Sequence, residues 1–310
     1  MKTRVLAVAV LAMAAACAPR GSVRRDSPMT ATETEKEASK YVGPKRRIGV
    51  VDFENKTSYG QRLGTAASDI LVTELAKTGR FVVVERDKLN KILDEQKLQS
   101  SGAIDPKTVV QVGKVLGLSA IVTGAVSEFG VKTEGSEYLL VQSKRQTAEV
   151  TVDIRLVDAE TGQVVYADSG KGTAKSGKGS VLGLGTRGGY DETLEGKALR
   201  AAIVEFTENI VGQVSKKPWS ARIAGVRGDI IYLNAGPLMG VEVGLKLDCF
   251  HLGKPISDPT TGLVLGYEEV PLGRLRVTGA LGDTGDGSTG EFMSSTVAKP
   301  EPKDICRLAK

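Results

Sequence analysis

Histidine, tryptophan and cysteine are nearly absent from this chain, with one, one and three copies among 310 residues. A single histidine, His251, leaves no second imidazole for a metal cluster and makes a histidine-based nucleophile system hard to build, so no metal site and no catalytic residues are expected. The chain also lacks any uninterrupted apolar run of about 18 residues, the minimum for a membrane-spanning helix. Aromatic residues amount to 5%, and no basic stripe interleaves with them, so the net charge of +5 is too dilute to mark a nucleic-acid surface. What remains is 41% hydrophobic and 25% charged, ordinary globular material with enough length for two domains.

The longest apolar run lies at the amino terminus. Lys2 and Arg4 precede Val5–Met13, then Ala14, Ala15, Ala16 and Cys17. Residues 1–16 read as a secretory signal peptide, with small residues before the cleavage point. Cys17 is placed to take a diacylglyceryl group and become a lipidated amino terminus, where two or three acyl chains anchor stably. A plain signal peptide with an incidental cysteine is the other reading. Ala18 rather than Asp after the cysteine resembles the outer-membrane sorting pattern, and residues 17–45 are polar enough for a flexible tether. Apart from this lipid no cofactor is expected.

From Ile48 the chain alternates strands and helices. Ile48–Phe53 is a buried strand that stops at Glu54–Ser58. A helix follows, with Ala67, Ile70, Leu71 and Leu75 on one face and a stop at Gly79. Phe81–Val84 repeats the strand pattern. Helices are expected from Asp87, with Leu89, Ile92 and Leu93 inward, and from Asp105, with Pro106 at its first turn and Gly117 as its stop. Ala120–Phe129 is again a strand, and Glu149–Asp158 alternates cleanly, with Val150, Val152, Ile154 and Leu156 on one side. A turn at Gly162, a return strand from Val164 and a helix over 194–214 complete a mixed sheet with packed helices, an α+β unit over 46–215. Residues 216–310 lose helical periodicity. Strands are expected at 221–226, 229–234, 244–251, 264–270, 273–278 and 304–308, a small all-β barrel of the SH3 or OB kind.

The order VVDFEN, TELAKTGRFVVVERDKL, EQKLQSSGAIDP and LGLSAIVTGAVSEFG resembles the CsgG family, the outer-membrane lipoproteins of curli secretion and their relatives, over residues 48–214. The resemblance implies a periplasmic, self-associating protein on the inner face of the outer membrane that supports export or assembly of a surface structure alongside secretion or envelope proteins. Lipoproteins that activate peptidoglycan synthases resemble this unit too, and such an activator or another periplasmic adaptor is the alternative. In the family the loop after the first strand lines a pore, which makes Asn55, Thr57, Tyr59, Gln61 and Arg62 a candidate peptide-contacting set. An exposed connection in which Asn55 and Thr57 bond their own backbone is the competing reading. The family's membrane hairpins fall at 130–148 and 169–189, yet neither stretch offers the roughly 9–11 alternating residues that a lipid-facing strand needs. The run RGDIIYLNAGPLMGVEVGLKL with DPTTGLVLGYEEVPLGRLRV resembles the small carboxy-terminal domain of flagellar ring assembly proteins.

Two glycine patterns invite nucleotide readings. GTAKSGKG at 172–179 lacks the hydroxyl after Lys178, and GLGTRG at 183–188 follows no apolar strand, so a glycine-rich hairpin accounts for both. Arg274, Arg276 and His251 form either a binding face or a solvated barrel surface. Cys249 and Cys306, in an exported setting, form either a disulfide that fastens the last strand or a pair of buried thiols.

Overall fold

The computed structural model describes residues 43–60, 62–84, 89, 112, 113, 116–138, 141–181, 193–260, 264–294, 296 and 298–309. The leader, Cys17 and most of the two helices expected from Asp87 and Asp105 lie outside them. Of those helices, Leu89 and Val112 are described and fully buried against Val51, Ile121 and Val157.

One sheet has the order β3-β1-β4-β5-β6, with β2 beside β4. Its strands are β1 (Arg46–Val50), β2 (Glu54–Asn55), β3 (Phe81–Val84), β4 (Ala120–Tyr138), β5 (Val141–Asp158) and β6 (Val164–Val181). β1 pairs in parallel with β3 and β4, whereas β4, β5 and β6 are antiparallel, which makes the sheet mixed. The first strand starts two residues earlier than the apolar run and ends at Val50. Val51 and Phe53 stay buried beyond it, and Val51 N–H still donates to Val122 O at 3.1 Å, so the apolar run outlasts the regular strand.

Helix α1 (Leu63–Lys77) turns Ala67, Leu71 and Leu75 to the sheet. The Thr78 hydroxyl donates to Leu75 O at 2.6 Å, and Gly79, at φ 67°, ends the helix in the left-handed conformation that glycine adopts without a Cβ clash. Helix α2 (Thr193–Lys216) lays Leu199, Ile203, Phe206 and Ile210 on the same sheet face, each such side chain contributing about 1.5–3 kcal/mol. It packs so closely on β6 that a Cβ at Gly172 would fall 1.9 Å from Ala198 O, and one at Gly170 2.1 Å from Ala202 O. Between the helices Glu74, almost wholly buried, accepts from Arg200 and Lys77.

Six more strands pair in a closed barrel, in the order β10-β11-β8-β7-β12-β9. They are β7 (Ser220–Arg227), β8 (Ile230–Leu233), β9 (Lys246–Ser257), β10 (Val264–Leu281), β11 (Gly287–Phe292) and β12 (Ile305–Leu308). Two departures from the sequence pattern stand out. The strands expected at 264–270 and 273–278 are one, because β10 absorbs Gly273, at φ 145°, as an irregularity in its pairing with β9. β11 was not expected at all, since GSTGEF offers no apolar alternation. Cys249 and Cys306 face each other across β9 and β12 and are joined by a disulfide.

The barrel sits at the end of the sheet where β4 begins. Lys45 N–H donates to Met239 O at 2.7 Å, and Trp219 Nε1–H to Lys45 O at 3.0 Å. Arg46 donates to Lys217 O and Pro218 O. Arg47, only 12% exposed at its side chain, donates to Asn234 O at 2.7 Å and to Asp286 through both the carbonyl and the carboxylate. A second link runs through the turn after β5. Lys217 bonds Asp158 and Glu160, and Arg222 on β7 bonds Glu160 at 3.0 Å. Burial pushes the Asp158 carboxyl up, but Lys217 and the N–H groups of Thr161 and Glu160 outweigh it and hold the group below the ordinary carboxylate value.

Two predictions follow from this architecture. Cys306→Ser opens a long covalent loop and should lower barrel stability by about 2–4 kcal/mol, read from the Trp219 fluorescence transition in urea; an unchanged midpoint contradicts it. Asp158, with its folded value depressed, contributes stability that is present above the unfolded carboxylate value and lost as pH falls through the folded one. Asp158→Asn should therefore destabilise the protein at neutral pH and make its melting temperature less sensitive to acidification below the ordinary carboxylate range. An acid response equal to that of the parent protein excludes the role.

Candidate functional site

The site that this fold presents is a three-stranded ribbon and the loop at its base. β4, β5 and β6 continue well past the point where glutamates and lysines replace the apolar alternation: Tyr138 pairs with Val141 at the tip, and β6 runs to Val181 beside them. Residues 130–138, 141–148 and 169–181 are thus strand, although none of these stretches shows the apolar alternation that marks one in the sequence. GTAKSGKG lies within β6 and is not a phosphate loop; GLGTRG lies outside the described residues. The physical reason is register. The buried pair Val152–Val126 and the partly buried pair Val150–Phe129 fix the alignment, a bulge between Val126 and Glu128 adjusts it, and the backbone ladder then propagates without needing apolar side chains.

Strand alternation assigns the described ribbon side chains to two faces. One continues the core face with Val131, Thr133, Gln146, Ala148, Ala174 and Ser176, of which Gln146, Ala148 and Ala174 are buried. The opposite face carries Lys132, Glu134, Arg145, Glu149, Lys171 and Lys175. Its charges alternate in sign: Lys132 lies 3.8 Å from Glu149, and Glu134 stands opposite Arg145. At the base of this face is a shallow groove of about 360 Å³ lined by Glu128, Gly130, Glu149, Thr151, Lys171 and Thr173. The Thr151 hydroxyl donates to Glu128 at 2.8 Å.

β6 forms one edge of the sheet, and its half nearest the barrel is covered. Lys171 N–H donates to the Glu205 carboxylate of α2 at 2.7 Å. Asp168 accepts from Tyr166 and from Asn209. Burial and the Asp168 hydrogen bond together push the Tyr166 hydroxyl up to about 12, so Tyr166 stays protonated and serves as a donor. Burial raises the Asp168 carboxyl, and the three donors Tyr166, Asn209 and Ser169 N–H reverse this and lower it.

Of the candidate peptide-contacting residues, those described make contacts near the base of the ribbon. Asn55 binds its own loop, donating to Tyr59 O at 3.0 Å and to Gly60 O while accepting from Thr57 N–H at 3.0 Å and the Thr57 hydroxyl at 2.7 Å. Tyr59 packs against Phe129 with ring centroids 4.4 Å apart. Arg62 is exposed ahead of α1, and Gln61 lies outside the described residues. The internal bonding supports the reading of this loop as a self-tied connection. In the barrel Arg274 bonds Asp248 at 2.7 Å, and His251 Nδ1 lies 2.9 Å from the buried Asp304 carboxylate, so these two side chains serve separate pairs. Among the described residues no three histidine, cysteine or carboxylate side chains gather where they could hold a metal ion.

Glu74, Arg47 and Glu205 hold the site's framework together, and Arg47 and Glu205 carry no local sequence signal. A charged residue among the inward positions of a helix was the one trace of Glu74.

Comparison with known proteins gives this geometry a lineage. Residues 30–231 match the family described as "Curli production assembly/transport component CsgG". A candidate lipoprotein of Neisseria meningitidis serogroup B (strain ATCC BAA-335 / MC58), NMB1126/NMB1164, is 33% identical over 233 residues, which cover 71% of this chain and 98% of that protein. Among solved structures, lipoprotein GNA1162 from Neisseria meningitidis is 15% identical with a TM-score of 0.34, covering 56% of this chain and 99% of its own. The PelC dodecamer from Paraburkholderia phytofirmans is 16% identical with a TM-score of 0.31, over 53% and 87%. The LpoB C-terminal domain from Escherichia coli is 16% identical with a TM-score of 0.30, over 46% and 93%. The family match spans the whole sheet and reaches β8, so on the strength of that match and of the Neisseria relative, this chain belongs to the CsgG family.

Proposed function

We propose that this protein is a non-catalytic lipoprotein, anchored through Cys17 to the periplasmic face of the outer membrane, that associates with itself and supports secretion or assembly of a cell-surface structure. The observation that carries this reading is the CsgG family match over 30–231, joined to a leader whose small residues end at Cys17. The ribbon refines it. A lysine or arginine near the bilayer midplane costs about 2–4 kcal/mol on a lipid-facing strand. Lys132, Arg145, Lys171 and Lys175 share one ribbon face, while Thr133, Gln146 and Ser176 interrupt the other. Neither face suits hydrocarbon, so in this reading the ribbon works in water as an assembly surface and does not line a membrane pore of its own.

The second reading, an activator of a peptidoglycan synthase or another periplasmic adaptor, draws on the same observation, because a polar ribbon suits an aqueous protein partner equally well. In the periplasm the fold and its disulfide would act in an oxidising setting, with residues 46–215 and 216–310 as two domains.

Self-association separates the two readings. Light scattering and negative-stain imaging of the detergent-extracted, lipidated protein should give closed assemblies of many copies. A monomer or dimer sinks the assembly-subunit reading and leaves the activator, which capture of a synthase would then test.

A further inference from the structure

The groove at the base of the ribbon has a polar order of its own. Glu128, Thr151 and Lys171 stand directly opposite one another on β4, β5 and β6, so their side chains form one row across the sheet face that turns away from α1 and α2. With neighbouring strands about 4.8 Å apart, the Cα atoms at the two ends of this row are separated by roughly 10 Å. The row is a dipole: a carboxylate at one end, a buried hydroxyl in the middle and an ammonium at the other. Among the described residues neither Glu128 nor Lys171 forms an ion pair, whereas Glu149 in the next row lies 3.8 Å from Lys132.

Both ends are held in place. The Thr151 hydroxyl donates to Glu128 at 2.8 Å and draws that carboxylate toward the middle of the row. Lys171 N–H is tied to Glu205 of α2 at 2.7 Å, which fixes the backbone from which the ammonium reaches out. The next row toward the tip is Gly130, Glu149 and Thr173. A Cβ at Gly130 would meet nothing within 4 Å, so the floor there is bare backbone beneath open space. The volume of about 360 Å³ stands at the small end of the range for ligand sites.

We infer that this groove binds a small zwitterion, a short peptide with both termini free or a single amino acid, its ammonium on Glu128 and its carboxylate on Lys171. Charge-assisted hydrogen bonds at both ends select a molecule that carries both charges, because a purely anionic or cationic one meets a like charge at one end. Each extended residue adds about 3.5 Å between the termini, so a dipeptide spans the row better than one amino acid. The Thr173 hydroxyl, on the same face one row from Lys171, offers the carboxylate a further donor. This site goes beyond the assembly role and depends on neither the lipid nor self-association.

An amide chemical-shift titration of the full-length, isotope-labelled protein with L-alanyl-L-alanine should saturate in the millimolar range, with the changes centred on Gly130, Thr151 and Thr173. The same dipeptide blocked at both ends carries neither charge and should not bind. Lys171→Met and Glu128→Gln should each weaken binding about tenfold, the loss of one charge-assisted hydrogen bond, while Lys175→Met on the same face leaves it unchanged. Gly130→Leu fills the groove without altering a charge, and should abolish binding at an unchanged melting temperature. Dialanine binding more tightly than alanine identifies a peptide as the ligand, and the reverse order an amino acid. Saturation by neither, equal binding of the blocked dipeptide, or an affinity that survives both Lys171→Met and Gly130→Leu overturns the proposal.

Discussion

One stretch of backbone, Pro44–Val50, belongs to both halves of the molecule, and the rest of the architecture depends on it. Its first residues hydrogen-bond to the barrel through Met239 and Trp219, and its last are the strand that lies between β3 and β4. Arg47 secures the junction. Its guanidinium is largely withdrawn from water, and that loss is offset because Asn234 O and the backbone carbonyl and one carboxylate oxygen of Asp286 accept from it. A guanidinium satisfied this way fixes direction as well as distance, because its donors form a rigid fork. The barrel thereby acquires one orientation at the base of the sheet, with the ribbon at the opposite end.

That polarity gives the family membership physical content. Strand pairing carries β4, β5 and β6 well beyond the helices, and the ladder does this regardless of side-chain polarity. What the side chains decide is the medium in which the ribbon works. Alternating Lys132, Glu149, Glu134 and Arg145 can pair across strands in water, where each exposed pair contributes little but leaves no charge stranded. In hydrocarbon the same residues would be costly. The proposed role as an aqueous assembly surface is a consequence of which residues occupy this ribbon.

The sequence made the buried half of the fold legible and left the polar half obscure. The 4-3-4 spacing of Leu199, Ile203, Phe206 and Ile210 marks α2, and Val150, Val152, Ile154 and Leu156 mark β5, because burial on one face leaves a periodic trace. Gly79, Gly117 and Gly162 take positive φ at the two helix stops and the turn that the sequence marks, since that conformation excludes most side chains. The outer parts of β4 and β6 leave no such trace. They are held by backbone pairing, and GVKTEGSEY or KGTAKSGKG reads as loop on composition alone. β11 was hidden for the same reason. The contacts of Arg46, Arg47 and Trp219 lie far apart in sequence and depend on how two units dock, which no local pattern encodes. At the loop after the first strand, Asn55 and Thr57 were legible as turn formers, whereas the packing of Tyr59 on Phe129 was not.

The claim that a single junction fixes barrel and ribbon at opposite ends can be tested by pulsed dipolar spectroscopy between spin labels at Val243 and Glu134. A rigid junction predicts one narrow, long distance in the native protein and a broad distribution in Arg47→Ala. A broad distribution already present in the native protein, or one that Arg47→Ala leaves unchanged, would contradict the account.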